Sequence, residues 1–461
     1  MIQIYPKENL FGLVTKLNDN DINKPIRAFA EVDGNMWVGT KGNGVLIFKD
    51  FWKNNIGRKS QKIDLNNGLE NNSVFAIKRG IDQLIYIGTD GAGVSIYDQK
   101  SAKTFRWRDI KGSPKFPDFK SVYTIIQDKD SSVWMGTSGY GLIHLKLYKN
   151  TDGSISITKF KQYSSSRIEK NGPVNDIIYA LAQGKNEQLW IACRYGGLSV
   201  LNKKTGSFKT YKASGYDGSL SHSDVLSLFY DTKNTLWVGT SYGLNYLSDI
   251  ESTKDRPKFF KITTETGLPN NTIHAIQEDN VGNIWLSTSK GLAKLNPLNN
   301  SIANYQHSDG LQSNEFSDGA VLKSNTGNLL FGGIYGFNYF IPRNIVENKK
   351  QPNLVISDLQ MGGVKFENNQ YVIVEAQTEH AKAFTLDRKN NFFQFSFNAL
   401  NYFNASKNEF AYKLDGLDQA WRYTGTNGEI AYYNIPAGKY KLMVRWSNGE
   451  GIWTKDIIAL N

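Results

Sequence analysis

Short apolar runs separated by clusters of Gly, Asn, Asp, Ser and Pro follow one another along almost the whole chain, and no segment holds a 3.6-residue apolar period long enough to argue a helix. One phrase recurs within this pattern. It reads Met-Trp-Val-Gly-Thr at 36–40, Ile-Tyr-Ile-Gly-Thr at 85–89, Val-Trp-Met-Gly-Thr at 133–137 and Leu-Trp-Ile-Ala-Cys at 189–193. It continues as Leu-Trp-Val-Gly-Thr at 236–240, Ile-Trp-Leu-Ser-Thr at 284–288 and a worn Leu-Leu-Phe-Gly-Gly at 329–333. The aromatic positions Trp37, Tyr86, Trp134, Trp190, Trp237, Trp285 and the degenerate Leu330 lie 45 to 56 residues apart, a period that suits a four-stranded propeller blade and is too long for most helical repeats.

Each period reads as four strands, a to d. In the sixth they fall at 272–278, 284–288, 291–295 and 302–307, with Asp-Asn-Val-Gly-Asn and Asn-Pro-Leu-Asn-Asn as turns. The seventh period lacks a fourth strand, whereas the chain opens with a spare one at 11–17, so the N-terminal strand is expected to complete the last blade and remove an open sheet edge. Alternating strand directions put the b–c turns and the d–a connections on one side of the disc. The turns are 41–44, 90–93, 138–141, 194–197, 241–243, 289–291 and 334–336, and the connections include Gly-Leu-Glu-Asn-Asn at 68–72, Gly-Leu-Pro-Asn-Asn at 267–271 and Gly-Leu-Gln-Ser-Asn at 310–314.

The last 110 residues break the period but keep the strand pattern. Runs at 392–397, 409–414, 431–434 and 439–446, with Gly and Pro between them, suit a small β-sandwich. The expected organisation is therefore all-β: a seven-bladed β-propeller over 1–345, a linker at 346–352, and an immunoglobulin-like or fibronectin-like β-sandwich over 353–461. Composition agrees, with 42 glycines and 13% aromatic residues among 461, and no stretch approaches the roughly 18 apolar residues that cross a bilayer. Charge is uneven. Residues 351–461 hold 11 basic and 11 acidic side chains, so the whole surplus of +11 precedes them. The single Cys193 excludes an internal disulfide framework and any multi-cysteine metal site, and it reads as a small apolar filler of a buried strand.

These residues resemble a known family. The Leu-Trp-Ile-Gly-Thr phrase, the Gly-Leu-Pro-Asn-Asn connection and the Gly-Leu that opens strand c resemble the regulator-propeller repeats of bacterial sensors, chiefly the hybrid two-component histidine kinases of Bacteroidetes. The run Phe410-Ala-Tyr412-Lys-Leu414-Asp-Gly416-Leu-Asp418-Gln-Ala-Trp421, then Tyr433-Asn-Ile-Pro436-Ala-Gly438-Lys-Tyr440, then Val444, Asn448, Gly451 and Trp453, resembles the three-tyrosine domain that follows such propellers. The resemblance makes Tyr412, Tyr433 and Tyr440 the eponymous tyrosines; packing in the core is their expected role, as it is for Trp421. It implies an extracytoplasmic, periplasmic sensor region, acting as a homodimer, whose membrane helix and kinase lie outside this chain. Such sensors usually carry two propellers, and one is present here.

Enzyme chemistry finds little support. The histidines His144, His222, His274, His307 and His380 lack metal-site spacing, no phosphate-cradling loop or nucleophile elbow occurs, and Ser221-His222-Ser223-Asp224 reads as a hydrogen-bonded turn. Neither a cofactor nor a metal is expected. Recognition remains. The shared rim gathers Lys41, Asp90, Tyr140, Arg194, Tyr195, Tyr242, Lys290, Tyr335, Asn270 and Asn271, with Asn71, Asn72, His222 and Asn314 beside them. Aromatic faces, amides and cations of this kind suit an oligosaccharide, and the positive surplus favours an anionic one. Arg194 and Tyr195 lead the set because they sit where several other repeats carry small residues, as at Gly42, Gly91, Ser138, Ser241 and Ser289. Dispersed basic residues speak against nucleic acid. The alternatives are a propeller that serves protein interaction or dimerisation without a ligand site of its own, and a propeller polysaccharide lyase or hydrolase.

Overall fold

The computed structural model describes residues 10–345 apart from 19, 54–59, 113–118, 166–171, 253 and 255, and further on 353–361, 364–365, 372–374, 392–400, 408–447, 453–454 and 457–460. The chain divides into two compact units, one ending at Ile345 and one that takes in Val346–Asn461 together with Asn299–Asn304. The residues 346–352, expected as a linker, lie outside the described residues.

Among the described residues, seven four-stranded antiparallel sheets precede residue 346. Their first strands, Ile26–Val32, Val74–Arg79, Val122–Gln127, Ile178–Gln183, Val225–Tyr230, Ile273–Glu278 and Phe316–Lys323, each pack on the next, and the seventh packs back on the first. The ring is closed and these seven strands form its inner edge. The seventh sheet takes its outer strand from the start of the chain: Gly12–Val14 pairs antiparallel with Gly336–Phe340, Gly12 opposite Tyr339 and Val14 opposite Phe337. This strand is shorter than the sequence suggested, because Lys16–Leu17 turns away to pair with Asn20–Asp21. Phe11 anchors it, buried edge-on against Phe340 at 4.9 Å and Tyr305 at 5.3 Å. In the sixth sheet strand d ends at Tyr305, and His307–Asp309 forms a 3-10 turn where the sequence pattern extended the strand.

The repeated phrase is a packing device in which each residue has a separate task. Its aromatic ring is buried in the six copies that carry one, as is Leu330 in the seventh, and in three sheets the indole N–H donates to an Asp six residues earlier: Trp134 to Asp128 at 3.0 Å, Trp237 to Asp231 at 2.8 Å, Trp285 to Asp279 at 3.0 Å. The glycine lets the next sheet approach. A Cβ on Gly136 would lie 2.6 Å from Ile178 Cγ2 of the following inner strand. The threonine closes the b–c turn: the Thr137 hydroxyl donates to the Gly141 carbonyl at 2.7 Å and accepts the Tyr140 N–H at 3.1 Å. At the start of strand c only glycine fits, since Gly291 has φ +103° and a Cβ there would meet the Tyr305 carbonyl at 2.0 Å.

The second unit is a β-sandwich. One sheet holds Leu354–Met361, Phe393–Ala399 and Glu429–Tyr432 with the short strands Val364–Lys365 and Val372–Val374; the other holds Arg422–Gly425, Glu409–Asp415, Lys441–Ser447 and Ile457–Leu460. Phe393, Phe395, Phe397, Phe410, Leu414, Tyr432, Val444 and Trp446 from the two sheets share one core. The tyrosines need a correction. Tyr412 is buried and Tyr440 packs on the core, but Tyr433 is 64% exposed and stacks on Phe392, while its neighbour Tyr432 points inward. The third strand runs over Glu429–Tyr432 rather than 431–434, and its alternation places Ile430 and Tyr432 on the core face. The Tyr432 hydroxyl donates to Asp418 and accepts the Leu414 N–H at 3.1 Å. Trp421 is half-buried beneath the Arg445 guanidinium, 4.3 Å from its ring. Asn448 and Gly451 lie outside the described residues.

Candidate functional site

Backbone hydrogen bonds tie the b–c turns to the d–a connections around one face of the ring. The Gly42 and Gly44 amides donate to the Asn72 carbonyl at 3.0 and 2.8 Å, those of Gly139 and Gly141 to Asp176 at 2.9 and 3.0 Å, that of Gly243 to Asn271 at 2.6 Å and that of Gly291 to Asn314 at 2.6 Å. The repeated asparagines build this face. Asn270 Oδ1 accepts the Thr272 N–H at 2.8 Å and Asn271 Oδ1 the Thr264 N–H at 2.9 Å, so the first leads into strand a and the second holds the preceding turn. Asn71, Asn72 and Asn314 do the same in their repeats. His222 stands in for the first asparagine, its Nδ1 accepting the Asp224 N–H at 3.0 Å. These side chains are employed in holding the rim together.

The other rim residues separate into three groups. Asp90 Oδ1 accepts from the Ser121 hydroxyl at 2.6 Å, and half-buried Tyr140 packs on the apolar cluster of the second and third sheets, so both support the rim from within. Lys41, Lys290, Tyr242 and Tyr335 are exposed on their separate turns. Arg194 and Tyr195 form a unit: the Arg194 guanidinium lies 4.7 Å from the Tyr195 ring and its Nη2 donates to the Tyr195 hydroxyl at 2.8 Å. Arg194 also reaches the inner strand, where its Nη1 donates to the Tyr179 hydroxyl and its guanidinium sits 5.2 Å from the Tyr179 ring.

Tyr179 belongs to a set that the rim argument missed. In six sheets the pairing of strands a and b slips by one residue at the rim end, leaving Arg27, Phe75, Tyr123, Tyr179, Leu226 and His274 as the extra residue; in the seventh a longer irregularity contains Asp318. A bulge redirects the side chain it carries. Neighbours around the inner edge touch: Phe75 and Tyr123 at 5.1 Å between ring centres, Tyr123 and Tyr179 at 5.5 Å, and the Arg27 guanidinium 5.1 Å from Phe75. On the other side His274 Nδ1 meets Asp318 Oδ1 at 2.6 Å, its Nε2 meets Ser289 Oγ of a b–c turn at 2.9 Å, and Arg27 Nη1 donates to Asp318 Oδ2 at 3.4 Å. A continuous arc thus runs His274, Asp318, Arg27, Phe75, Tyr123, Tyr179, Arg194, Tyr195. The signal was present in the repeat, at the position between the β-branched residue and the small residue that open strand a, where the side-chain type varies from copy to copy.

Charge in this arc is unevenly matched. Burial alone would raise the Asp318 carboxyl, but the bond to His274 and the Arg27 charge hold it below its ordinary value of 3.8. Burial pushes the Tyr179 phenol up to about 12 against the pull of Arg194, so it is a neutral hydroxyl at physiological pH. Elsewhere buried His144 stacks on Trp134 at 3.8 Å and burial lowers it to about 4, while burial pushes the Cys193 thiol up to about 11. His307 Nδ1 lies 2.7 Å from the Leu311 carbonyl, and His380 is outside the described residues. Among the described residues no cluster of three His, Cys, Asp or Glu could hold a metal, and no helix is long and apolar enough to cross a membrane.

The two component regulator propeller family matches residues 219–242 and 267–290, which run from the connection through strand b in the fifth and sixth sheets, and the Y_Y_Y domain family matches 401–461 in the sandwich. The chain carries regulator-propeller repeats followed by a Y_Y_Y domain. A protein of Formosa agariphila named Histidine kinase P4 is 27% identical to these repeats and this domain over 441 residues, covering 85% of this chain and 31% of that protein. Two solved extracellular domains from B. thetaiotaomicron share the fold. That of BT3049, described as a hybrid two component system, has a TM-score of 0.66 and 23% identity over 97% of this chain and 56% of its own. That of BT4673, described as a one component system, has a TM-score of 0.58 and 19% identity over 98% and 59%. The chain therefore spans about a third of the kinase relative and little more than half of each solved domain.

Proposed function

We propose that this chain is a non-catalytic, extracytoplasmic sensing region of a two-component receptor, and that the rim and inner edge of its propeller bind a glycan-derived oligosaccharide. The Y_Y_Y sandwich would pass the signal toward a membrane-spanning kinase, with a homodimer as the two-state element, because a ligand moves an equilibrium only by binding one arrangement better than the other. The supporting observation is the arc on the inner edge: three tilted aromatic rings flanked by guanidinium, imidazole and carboxylate groups at the face where all the turns converge. Aromatic faces with hydrogen-bonding groups beside them suit a sugar ring and its hydroxyls. The sequence relationship to a histidine kinase and the fold shared with extracellular domains of two-component systems support the sensor part of the reading. Isothermal titration of the chain with a panel of neutral and acidic oligosaccharides tests it. Saturable heat with one member, lost on Tyr123→Ala, is the expected result; no heat with any member refutes the reading.

A further inference from the structure

The arc carries two guanidinium groups, and only one is neutralised. Arg27 has the Asp318 carboxylate at 3.4 Å. Arg194 has no such partner: among the described residues its hydrogen bonds go to the hydroxyls of Tyr179 and Tyr195, and its Nε is buried with no acceptor. Asp224, whose charge acts on Arg194 from farther off, spends Oδ1 on the Tyr195 N–H at 3.2 Å. The Tyr179 phenol supplies no negative charge, because burial holds it further from ionising. Each phenol oxygen that accepts from Arg194 still has its own O–H to donate. The result is a cluster of N–H and O–H donors carrying one uncompensated positive charge, half-buried beside aromatic faces. A guanidinium fork flanked by hydroxyl donors is suited to a group with several negatively charged oxygens, and charge-assisted bonds of this kind are roughly twice as strong as neutral ones.

We infer that Arg194, Tyr179 and Tyr195 form a subsite for the carboxylate or sulfate of an acidic sugar, whose ring faces the aromatic arc of Tyr123 and Phe75. The inference rests on the glycan-sensing reading and narrows it to anionic ligands. Tyr195 is held for this task by its turn: it has φ +53°, a conformation uncommon for a large side chain, and 65% of its surface is exposed above the Arg194 guanidinium. The opposite side of the arc differs in charge: Arg27 Nε, like that of Arg194, is buried without an acceptor, but Arg27 and His274 both contact the Asp318 carboxylate, so this side would meet the neutral hydroxyls of the same sugar.

The test uses three sugars that differ only at C6: glucose, glucuronate and glucose 6-sulfate, titrated into the whole chain by NMR and calorimetry. At least tenfold tighter binding of glucuronate or of the 6-sulfate than of glucose is expected, and the stronger of the two identifies carboxylate or sulfate as the preferred group. Arg194→Gln should abolish this preference and Arg194→Lys should keep only part of it, since lysine retains the charge without the fork. Lys103→Gln, on the exposed outer strand of the second sheet and away from the arc, should leave the preference in place. The preference should also shrink as salt rises. Melting temperature and circular dichroism establish that each variant is folded. Equal binding of glucose and the anionic sugars, or an unchanged preference in Arg194→Gln, overturns the inference. If neutral oligosaccharides bind while neither anionic sugar does, the acidic subsite is wrong and the sensing reading stands; if no sugar binds, both fall.

Discussion

Removing the Asp128 carboxylate should destabilise the propeller more than any other single truncation at its a–b turns. Asp128 accepts the buried Trp134 indole N–H at 3.0 Å in its own sheet and the Lys203 ammonium of the next sheet at 2.9 and 2.7 Å, with Gln183 Nε2 at 3.2 Å. The Lys203 and Asp128 side chains are only 13% and 19% exposed. Asp128→Ala leaves an orphaned indole N–H, which costs about 1–3 kcal/mol, and an uncompensated, largely buried ammonium, for which breaking the pair costs about 3–5 kcal/mol in all. Glu187, 3.4 Å from Lys203, offers a partial substitute, so about 3 kcal/mol is expected. Asp128→Asn keeps an acceptor for the indole and should lose roughly half as much. Denaturant unfolding followed by tryptophan fluorescence measures both, and the cycle with Lys203→Ala isolates the cross-sheet part. The pH dependence has a definite sign. Burial acts to raise the Asp128 carboxyl, yet its bonds with Lys203 and Trp134 hold it below 3.8, so its contribution is complete above that pH and fades as pH falls through the lower folded value. The gap between wild type and Asp128→Ala should therefore narrow below about pH 4. A loss under about 1 kcal/mol at neutral pH, or a gap that widens in acid, would refute the reasoning.

Further outcomes follow from the same contacts. Gly136→Val would drive a side chain into Ile178 and Thr124 of the neighbouring strands and should cost about 1–3 kcal/mol, whereas Ala192, the same position one repeat later, already carries a methyl and should accept glycine with about 1 kcal/mol lost; equal effects at the two sites would contradict the close-approach argument. Phe11→Ala removes the anchor of the closing strand and should cost about 3–5 kcal/mol in denaturant, with faster amide exchange along Gly336–Phe340; protection left unchanged there would argue that closure does not depend on Phe11. In the sandwich, Tyr432→Phe should lose about 0.5–1.5 kcal/mol with the hydroxyl's bonds, since the Leu414 N–H keeps Asp418 Oδ2 at 2.8 Å and Asp418 keeps Arg422, while Tyr433→Phe should change the near-UV circular dichroism and melting temperature little; the reverse order would mean that the strand is shifted by one residue.

The local pattern was enough for the repeat and the four strands of each period, because each depends on residues a few positions apart, alternation for the strands and Gly and Asn for the turns; the closing N-terminal strand, which pairs with Gly336–Phe340, followed from the strand missing in the seventh period. The shared face of turns and connections was legible for the same reason, since strand direction alone dictates it. The tasks of individual side chains were not. Asn270 and Asn271 look like free amides in the sequence and are turn-formers in the fold, where neighbouring amide N–H groups need acceptors. Tyr432 and Tyr433 differ by one step in a period-2 strand, and only the register against the neighbouring strand of the same sheet chooses which of them enters the core. The arc from His274 to Tyr195 needed the closed ring most of all. A one-residue slip in pairing aims Arg27, Phe75, Tyr123, Tyr179 and His274, and the contacts of His274 with Asp318, Asp318 with Arg27, Arg27 with Phe75, and Tyr123 with its neighbours on both sides join separate sheets, brought together by packing that no short stretch of the chain encodes.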